Sequence, residues 1–481
     1  GEPVALRTQG YVLMLLCFLV TALCALDRVA MSVAILPMAE EFHYSDTTKG
    51  LVSAMFSLGY MVALVPAGML GSVASPTRVM AAGAGLWSLA QVVSPLAAYA
   101  GLPALYAARF AMGAAEAVTL PTIQTLISRW VPRSERTRAI AFIIAGLQIG
   151  DVAAYKLSPG VIDAFAWPGL FYVYGALGLL WVAAWLPVAS DAPSSPEECV
   201  PDACELPDFL EAEAESAAPP AGAGAAEGPA VAPPPASADS LVARLSAMPW
   251  GEFAAARPVW GIAAAHMAQN FLLYLTLSWL PTLFSSHFGL TLEGASSSGI
   301  LPFLVGAVSG TSAGVAAEHL VNERGWDRTL TRKVFQTVAL LGPAACMLAL
   351  SASLDLEGFS SAQAVGFFTA ASGLAAFSGA GYSASIQDVA TKKYVSTLYA
   401  ATSALSVVVG SAGTAATGVI LDTMHDWRIV FDVTAVVLVA GCVAYNMLYD
   451  SALIFDEDVI EGTGAGTAAG TAAAAVAGEG G

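Results

Sequence analysis

The sequence predicts an all-α membrane protein with twelve transmembrane helices in two six-helix pseudo-repeats. Composition is the first indication: the 481-residue chain is 57% hydrophobic and only 12% charged, whereas soluble domains carry about 25% charged residues. The second is a mean hydropathy of +0.67. The third is an acidic segment that divides the apolar runs into two equal sets. Such a chain is expected to cross a membrane many times.

Twelve apolar segments are each long enough to cross a lipid bilayer, for which about 20 residues are needed. In chain order they cover residues 11–37, 50–71, 78–100, 103–127, 138–162, 168–188, 257–284, 294–316, 334–353, 361–386, 394–420 and 429–449. Many contain Gly, Ala and Ser, and such small side chains let helices approach closely in lipid.

The net charge of −18 arises largely from one stretch, since eleven Asp and Glu but no Lys or Arg lie in 189–243. This composition predicts a disordered, acidic, Pro/Ala-rich linker at 189–248. It separates an N-terminal bundle (1–188) from a C-terminal bundle (249–450), and 451–481 is predicted to be a flexible tail of low complexity. No basic face is present for nucleic acid.

Basic residues are concentrated in the connections after the even-numbered spans. These are Arg78, Arg129, Arg133, Arg136, Arg138, Arg324, Arg328, Arg332, Lys333, Lys392 and Lys393. Since positive charge favours the inner side of a membrane, both termini are predicted to lie on the inner side, cytosolic or stromal. The two halves are also weakly similar, because Trp167-x3-Phe171 opens span six and Trp427-x3-Phe431 opens span twelve.

Two charged residues, Asp27 and Arg28, are adjacent within the first apolar segment. A charge at bilayer depth costs about 2.5–3.5 kcal/mol on insertion scales, so it normally faces protein or a wet path. Span four adds Arg109 and Glu116, which are seven residues apart and therefore project from nearly one helix face.

The 1.5 Å rise per residue places Arg28 and Arg109 at similar depth. Two guanidiniums at one level are tolerable if they face an aqueous cavity and bind an anion such as a carboxylate or a phosphate. The alternative is an internal Arg109–Glu116 or Asp27–Arg109 pair that only joins helices. The anion-binding interpretation is favoured, because four ionisable groups exceed what packing needs.

Spans five and seven hold further polar residues. Gln148 suits a ligand hydrogen bond or a packing contact, and Asp151 and Lys156 are expected to pair with each other, or Lys156 to extend to the interface. In span seven, His266, Gln269, Asn270 and Tyr274 lie close in sequence. His266 could take part in proton coupling or be a hydrogen-bonded core residue, and Gln387 and Asp388 near the end of span ten suit gate or capping groups.

No nucleophile elbow, zinc-ligand cluster, Walker loop or dinucleotide fingerprint occurs in the sequence. An enzyme is therefore the least favoured function. No cofactor is expected beyond a coupling ion, H⁺ or Na⁺.

Three stretches resemble the anion–cation symporter branch of the major facilitator superfamily: DRVAMSVAILPMAEEF (27–42), ARFAMGAAEAVTLPTIQTLISRWVPRSERTRA (108–139) and HMAQNFLLYLTLSWLPTLF (266–284). Within that branch the plant and algal plastid anion transporters look most similar. The resemblance implies a major facilitator fold, anion binding by Arg28 and Arg109, and proton uptake by Asp27 and Glu116. It also implies a cavity lined by Gln148, His266, Asn270 and Tyr274.

The sequence departs from the branch in the connection GSVASPTRV (71–79), which lacks the acidic residue of the superfamily's usual gating motif. The gate at that position is expected to be weakened or held differently. Asp151 and Lys156 also stand where small residues are usual.

Together these features predict a monomeric secondary transporter of small anions, phosphate or organic carboxylates, that works by proton-coupled alternating access. Its partners would be the anionic solute and the bilayer, in a chloroplast envelope or thylakoid membrane. The alternatives are a sodium-coupled carrier of the same fold and a transceptor that senses the solute without moving it.

Overall fold

The computed structural model describes residues 8–131, 136–191, 250–390 and 392–451, and these residues form α-helices joined by short connections. The first half comprises α1 (Thr8–Phe42), α2 (Asp46–Val73), α3 (Pro76–Ala100), α4 (Leu102–Glu116), α5 (Thr119–Trp130) and α6 (Arg136–Val188). The second half comprises α7 (Trp250–Ala255), α8 (Arg257–Ser286), α9 (Leu292–Ser297), α10 (Ile300–Asn322), α11 (Arg328–Ser353), α12 (Ser361–Ala375), α13 (Tyr382–Val389), α14 (Lys392–Met424) and α15 (Trp427–Leu448).

Nine helical stretches of the described residues are long and apolar enough to cross a membrane. One of them, Phe142–Val188, contains both the fifth and the sixth predicted spans. The two spans are separated within α6 by a kink at Ala166, whose φ of 55° and ψ of 176° are not helical. The second and seventh predicted spans correspond to α2 and α8. The twelve predicted spans therefore all lie in helices, as the fold class requires.

Two spans are broken where a straight helix was expected. Span four divides into α4 and α5 at Ala117 and Val118, one residue beyond Glu116. Span ten divides into α12 and α13, with a 3₁₀ turn at Ala376–Gly379 between them. In transporters, broken helices occur where they line a cavity or carry a binding group.

Each half buries its own apolar core, and stripes of large apolar side chains remain exposed for lipid. On α3 the exposed stripe is Leu86, Leu89, Val93 and Leu96, and on α15 it is Val436, Val439, Val443 and Met447. The spacing of three and four residues keeps each stripe on one helix face. In the first half, α1 packs closely on α6, since a Cβ on Gly150 would lie 2.2 Å from the Ala22 carbonyl oxygen.

The two halves meet at the end of the molecule that carries the α1–α2 and α14–α15 connections, called the distal end below. There Asp422, in the last turn of α14, accepts hydrogen bonds from the backbone N–H groups of Asp46 (2.8 Å) and Thr47 (2.7 Å) at the start of α2. About one turn further along α2 and two turns back along α14, a Cβ on Gly50 would lie 2.8 Å from the Thr414 carbonyl oxygen. The distal end is thus closed.

The connection before α3 obtains its acidic group from elsewhere in the chain. Asp191, just after α6, accepts hydrogen bonds from the Ser75 hydroxyl (2.9 Å), the Thr77 backbone N–H (3.0 Å) and the Thr77 hydroxyl (2.7 Å). A carboxylate at a helix N-terminus stabilises the helix. The sequence predicted a gate that is weakened or held differently at this position, and in the structure Asp191 supplies an acidic contact.

Residues 192–248 of the predicted linker (189–248) and all of the tail beyond 451 lie outside the described residues, so these assignments stay predictions.

Candidate functional site

A cavity of about 330 Å³ lies between the two halves, which is room for roughly ten water molecules. Its first-half wall carries the charged groups Arg28 from α1 and Arg109 and Glu116 from α4, together with the ring of Phe56 from α2. Its second-half wall carries aromatic and uncharged polar groups, including His266, Asn270, Tyr274, Tyr382, Tyr399 and Ser403. The charged side chains that line the cavity therefore all lie on the first-half wall.

The charged wall contains one direct ion pair. Arg28 Nη2 lies 2.7 Å from Glu116 Oε1, and the Glu116 side chain is 1% exposed while that of Arg28 is 33% exposed. Arg28 thus reaches the cavity and holds a buried carboxylate at its edge. Neither of the two helix-joining pairs considered from the sequence is formed; Glu116 pairs across to α1 instead.

Arg109 has no carboxylate within ion-pair distance among the described residues. Arg109 is 2% exposed. Its Nη1 group donates a hydrogen bond to the Met112 sulfur at 3.3 Å, and its Nε group has no hydrogen-bond partner. A buried guanidinium with unused donors is costly unless something else satisfies it. Of the two arginines on the charged wall, Arg109 is therefore the one without an ion pair in the described part of the chain, whereas Arg28 is paired with Glu116.

One aromatic ring supports both arginines. The guanidinium carbons of Arg28 and Arg109 lie 5.6 Å and 5.1 Å from the centre of the Phe56 ring, within the range of a cation–π contact. Sequence reasoning missed Phe56, because one apolar ring in an apolar span gives no signal of its own.

The position of Phe56 is set by close contact between α2 and α4. A Cβ on Gly59 would lie 2.0 Å from the Phe110 carbonyl oxygen, and one on Gly113 would lie 1.9 Å from the Phe56 carbonyl oxygen. Only glycine at both positions allows these backbones to approach so closely. The helix that carries Arg109 and Glu116 is thereby packed directly against the helix that carries Phe56.

Asp27 does not line the cavity. It is 1% exposed, and its Oδ1 accepts a hydrogen bond of 3.2 Å from Gln91 Nε2 on α3. Although Asp27 and Arg28 are adjacent in sequence, they point to different neighbours because successive residues of a helix are rotated by about 100°.

The second-half wall is built around His266. Its ring stacks on Tyr382 with centroids 4.5 Å apart, and Nδ1 lies 3.4 Å from the Thr402 hydroxyl oxygen. One turn along α8, Asn270 donates to the Ser406 hydroxyl at 2.7 Å. These contacts hold hydrogen-bonding groups and ring faces towards the cavity.

The other predicted residues lie away from the cavity wall. Gln148 is half-buried on α6, and its neighbour Leu147 lines the cavity. Asp151 is buried and Lys156 is exposed, and among the ion pairs of the described residues none joins them, so the predicted pair is not formed. Gln269 turns towards α12 and donates to the Ala375 carbonyl at 3.2 Å.

Near the opposite end of the second half, Asp388 on α13 pairs with Arg332 on α11. Arg332 Nε lies 2.7 Å from Asp388 Oδ2, and the Tyr449 hydroxyl donates to the same oxygen at 3.3 Å. This arrangement fits the expected gate or capping group rather than a ligand contact. No group of three or more His, Cys, Asp or Glu side chains in the described ranges is placed to hold a metal ion.

Twelve helical spans in two bundles, with a basic cavity between them, define a multi-pass membrane transporter. The chain belongs to the Major Facilitator Superfamily, whose family model matches residues 17–414.

Among its relatives, the chain is 31% identical to the sodium-dependent phosphate transport protein 1, chloroplastic, of Arabidopsis thaliana over 450 residues, which cover 93% of this chain and 80% of that protein. It is 33% identical to the probable anion transporter 4, chloroplastic, of Oryza sativa subsp. japonica over 439 residues (91% and 68%). It is also 31% identical to the ascorbate transporter, chloroplastic, of Arabidopsis thaliana over 448 residues (93% and 76%).

Solved structures support the same fold. A bacterial homologue of the human lysosomal transporter Spinster, in an inward-facing and unoccupied conformation, superposes with a TM-score of 0.70 at 16% identity and covers 92% of this chain and 98% of its own. A D-xylose–proton symporter superposes with a TM-score of 0.62 at 12% identity, with the same coverage. At such low identity the likeness concerns the fold alone.

Proposed function

We propose that the protein is a secondary active transporter of small anions that works by alternating access, with the anion bound between Arg28 and Arg109. The observation that carries this proposal is Arg109, a buried guanidinium beside the cavity with no carboxylate partner among the described residues. An anion would supply the missing hydrogen bonds with charge-assisted geometry. Relatives named as anion and phosphate transporters support the same substrate class.

The ion pair of Arg28 and Glu116 suggests how a proton is coupled. An ionised Glu116 occupies Arg28 at 2.7 Å and so competes with the anion for the same guanidinium. Protonation of Glu116 removes that competition, and anion and proton therefore bind together. Coupling of this kind shifts the balance of facing states only through a difference in affinity between them.

The second-half wall favours an organic anion over a bare inorganic one. His266, Asn270 and Tyr274 offer ring faces, an amide and a hydroxyl, groups that suit hydroxylated carbon rather than a second negative charge. Inorganic phosphate and organic carboxylates both remain within the proposal. One relative is named as a phosphate transporter and another as an ascorbate transporter.

The relatives' names also support a plastid membrane, with both termini on the inner side as the basic connections indicate. A sodium-coupled carrier is the second candidate, and it is favoured by the relative named as sodium-dependent.

Uptake into proteoliposomes tests the proposal. Labelled phosphate, glutamate, ascorbate and sugar acids are supplied under separate proton and sodium gradients. We expect Arg28→Ala to abolish saturable anion uptake, whereas Arg428→Ala, at an exposed arginine paired with Asp426 and Asp355, retains it. Normal uptake by folded Arg28→Ala would refute the site.

The coupling step has its own variant. We expect Glu116→Gln to lose accumulation driven by a pH gradient while keeping anion exchange, because the neutral amide no longer titrates. Accumulation that responds to pH as in the wild type would count against Glu116. Accumulation driven by sodium alone would favour the second candidate.

A further inference from the structure

Asp27 and Gln91 form a polar pair sealed between α1 and α3. Asp27 is 1% exposed and Gln91 is 0% exposed, and Gln91 Nε2 donates to Asp27 Oδ1 at 3.2 Å. Neither residue lines the cavity where Arg28 and Arg109 lie. A carboxyl group buried away from the proposed anion site therefore has a partner of its own.

The remaining oxygens of this pair are unpartnered. Asp27 Oδ2 and Gln91 Oε1 are both buried and have no hydrogen-bond partner in the described part of the chain. With Asp27 ionised, both atoms are acceptors, so neither can satisfy the other. A buried acceptor without a donor costs free energy.

One proton removes this mismatch. A protonated carboxyl group has an O–H donor, and a primary amide can pair with a carboxylic acid through two parallel hydrogen bonds, one in each direction. We propose that Gln91 is a positioning residue that recognises protonated Asp27 through a cyclic pair of hydrogen bonds, Nε2–H to Oδ1 and Oδ2–H to Oε1. The inference rests on the proposed function, because it assigns Asp27 as a proton site separate from the anion-binding cavity.

Other charged and titratable groups also surround Asp27. The titratable and charged side chains whose fields act on it are Cys24 on its own helix, Arg109 and Glu116 on α4, and Tyr174 on α6. A sodium ion between the two free oxygens would have Arg109 as a nearby positive charge and the indole N–H of Trp87 as a neighbouring donor. Both groups also favour the ionised carboxylate of Asp27 over the protonated one, so the two hydrogen bonds of the cyclic pair are what would offset them when Asp27 takes up a proton.

Infrared difference spectroscopy of the protein in lipid, recorded against pH and without any transported solute, tests the inference. We expect a protonated-carboxyl C=O band that Asp27→Asn removes. In Gln91→Leu the band should move to higher wavenumber, because the carbonyl no longer accepts and the O–H no longer donates. Ser94→Ala is the matched control, since this buried α3 hydroxyl bonds only to its own helix at Ala90 (2.8 Å), and it should leave the band in place.

Gln91→Glu guards against a loss of folding in the leucine variant. A protonated glutamic acid at this position can again form two hydrogen bonds with Asp27, so the band that Asp27→Asn removes from this variant should lie near its wild-type position at low pH. The inference is overturned if Gln91→Leu leaves the band unmoved, if no band depends on Asp27, or if sodium at constant pH removes it. Loss of anion uptake in every assay would refute the proposed function without altering this spectrum.

Discussion

The contact between Asp422 and the start of α2 makes a quantitative prediction about the balance of facing states. Both carboxylate oxygens accept backbone N–H groups of the other half, at 2.8 and 2.7 Å, and they lie at a helix N-terminus where negative charge is favoured. Rocking of the two halves apart at the distal end must break both hydrogen bonds. Asp422→Ala should therefore destabilise the state seen here relative to the state open at the distal end.

The size of the effect follows from the hydrogen bonds lost. A hydrogen bond to a charged group contributes about 1.5–3 kcal/mol, and water at this half-exposed position would replace part of it, so we take about 2 kcal/mol for the pair. That corresponds to a shift of about 30-fold in the ratio of the two states. Asp422→Asn keeps one acceptor oxygen without the charge and should give an intermediate shift.

Spin labels at Glu40 and Met424 would measure the shift. Both positions are exposed near the distal end, and their separation should gain a long-distance population in Asp422→Ala. Thr423→Ala is the matched control, because this exposed hydroxyl bonds to its own helix at Val419 (2.7 Å) and its loss should change nothing. A distance distribution in Asp422→Ala that overlaps the wild-type one would refute the reasoning.

Two further predictions concern stability. Gly113→Ala should destabilise the fold by about 1–3 kcal/mol and so lower the thermal midpoint, because its Cβ would lie 1.9 Å from a backbone oxygen. Gly85→Ala is the control and should leave the midpoint unchanged, since a Cβ there has nothing within 4 Å. Equal midpoints for both variants would contradict the packing described. Although partial burial acts in the opposite direction, hydrogen bonds from Thr77 hold the pKa of Asp191 below its usual value. Since a lowered pKa stabilises the fold above the unfolded value of about 3.9, Asp191→Ala should lower the thermal midpoint at pH 7, and the difference should shrink as the pH falls from about 4 towards the lower pKa of the folded state. A difference that stays constant as the pH is lowered through this range would exclude this origin.

The sequence predicts the depth of charges better than their partners. Arg28 and Arg109 were expected at one level because the rise per residue is constant, and the structure brings both to the Phe56 ring. Arg109 and Glu116 share a helix face, but seven residues of rise separate them by about 10 Å, which is too far for a direct pair. The rotation of α1 against α4, which a single helix pattern does not contain, decides that Glu116 meets Arg28.

The same reason explains what was missed on neighbouring helices. Gln148 was expected in the cavity on grounds of resemblance, yet the rotation of α6 presents Leu147 there. The sequence does not single out Gln91, because one amide in an apolar span can serve in packing, capping or ligand binding. Its importance depends on Asp27, which approaches it from a helix more than sixty residues away in sequence.

The paired glycines of α2 and α4 restrict how this transporter can change over evolution as well as how it moves. Because Gly59 and Gly113 each lie against the other helix's backbone, sliding one helix past the other would require a gap to open. The two helices should therefore travel as one body during a transport cycle, and the distance from Arg109 to its supporting ring should be preserved in both facing states. Substrate preference can then diversify on the second-half wall while the cationic wall keeps its shape.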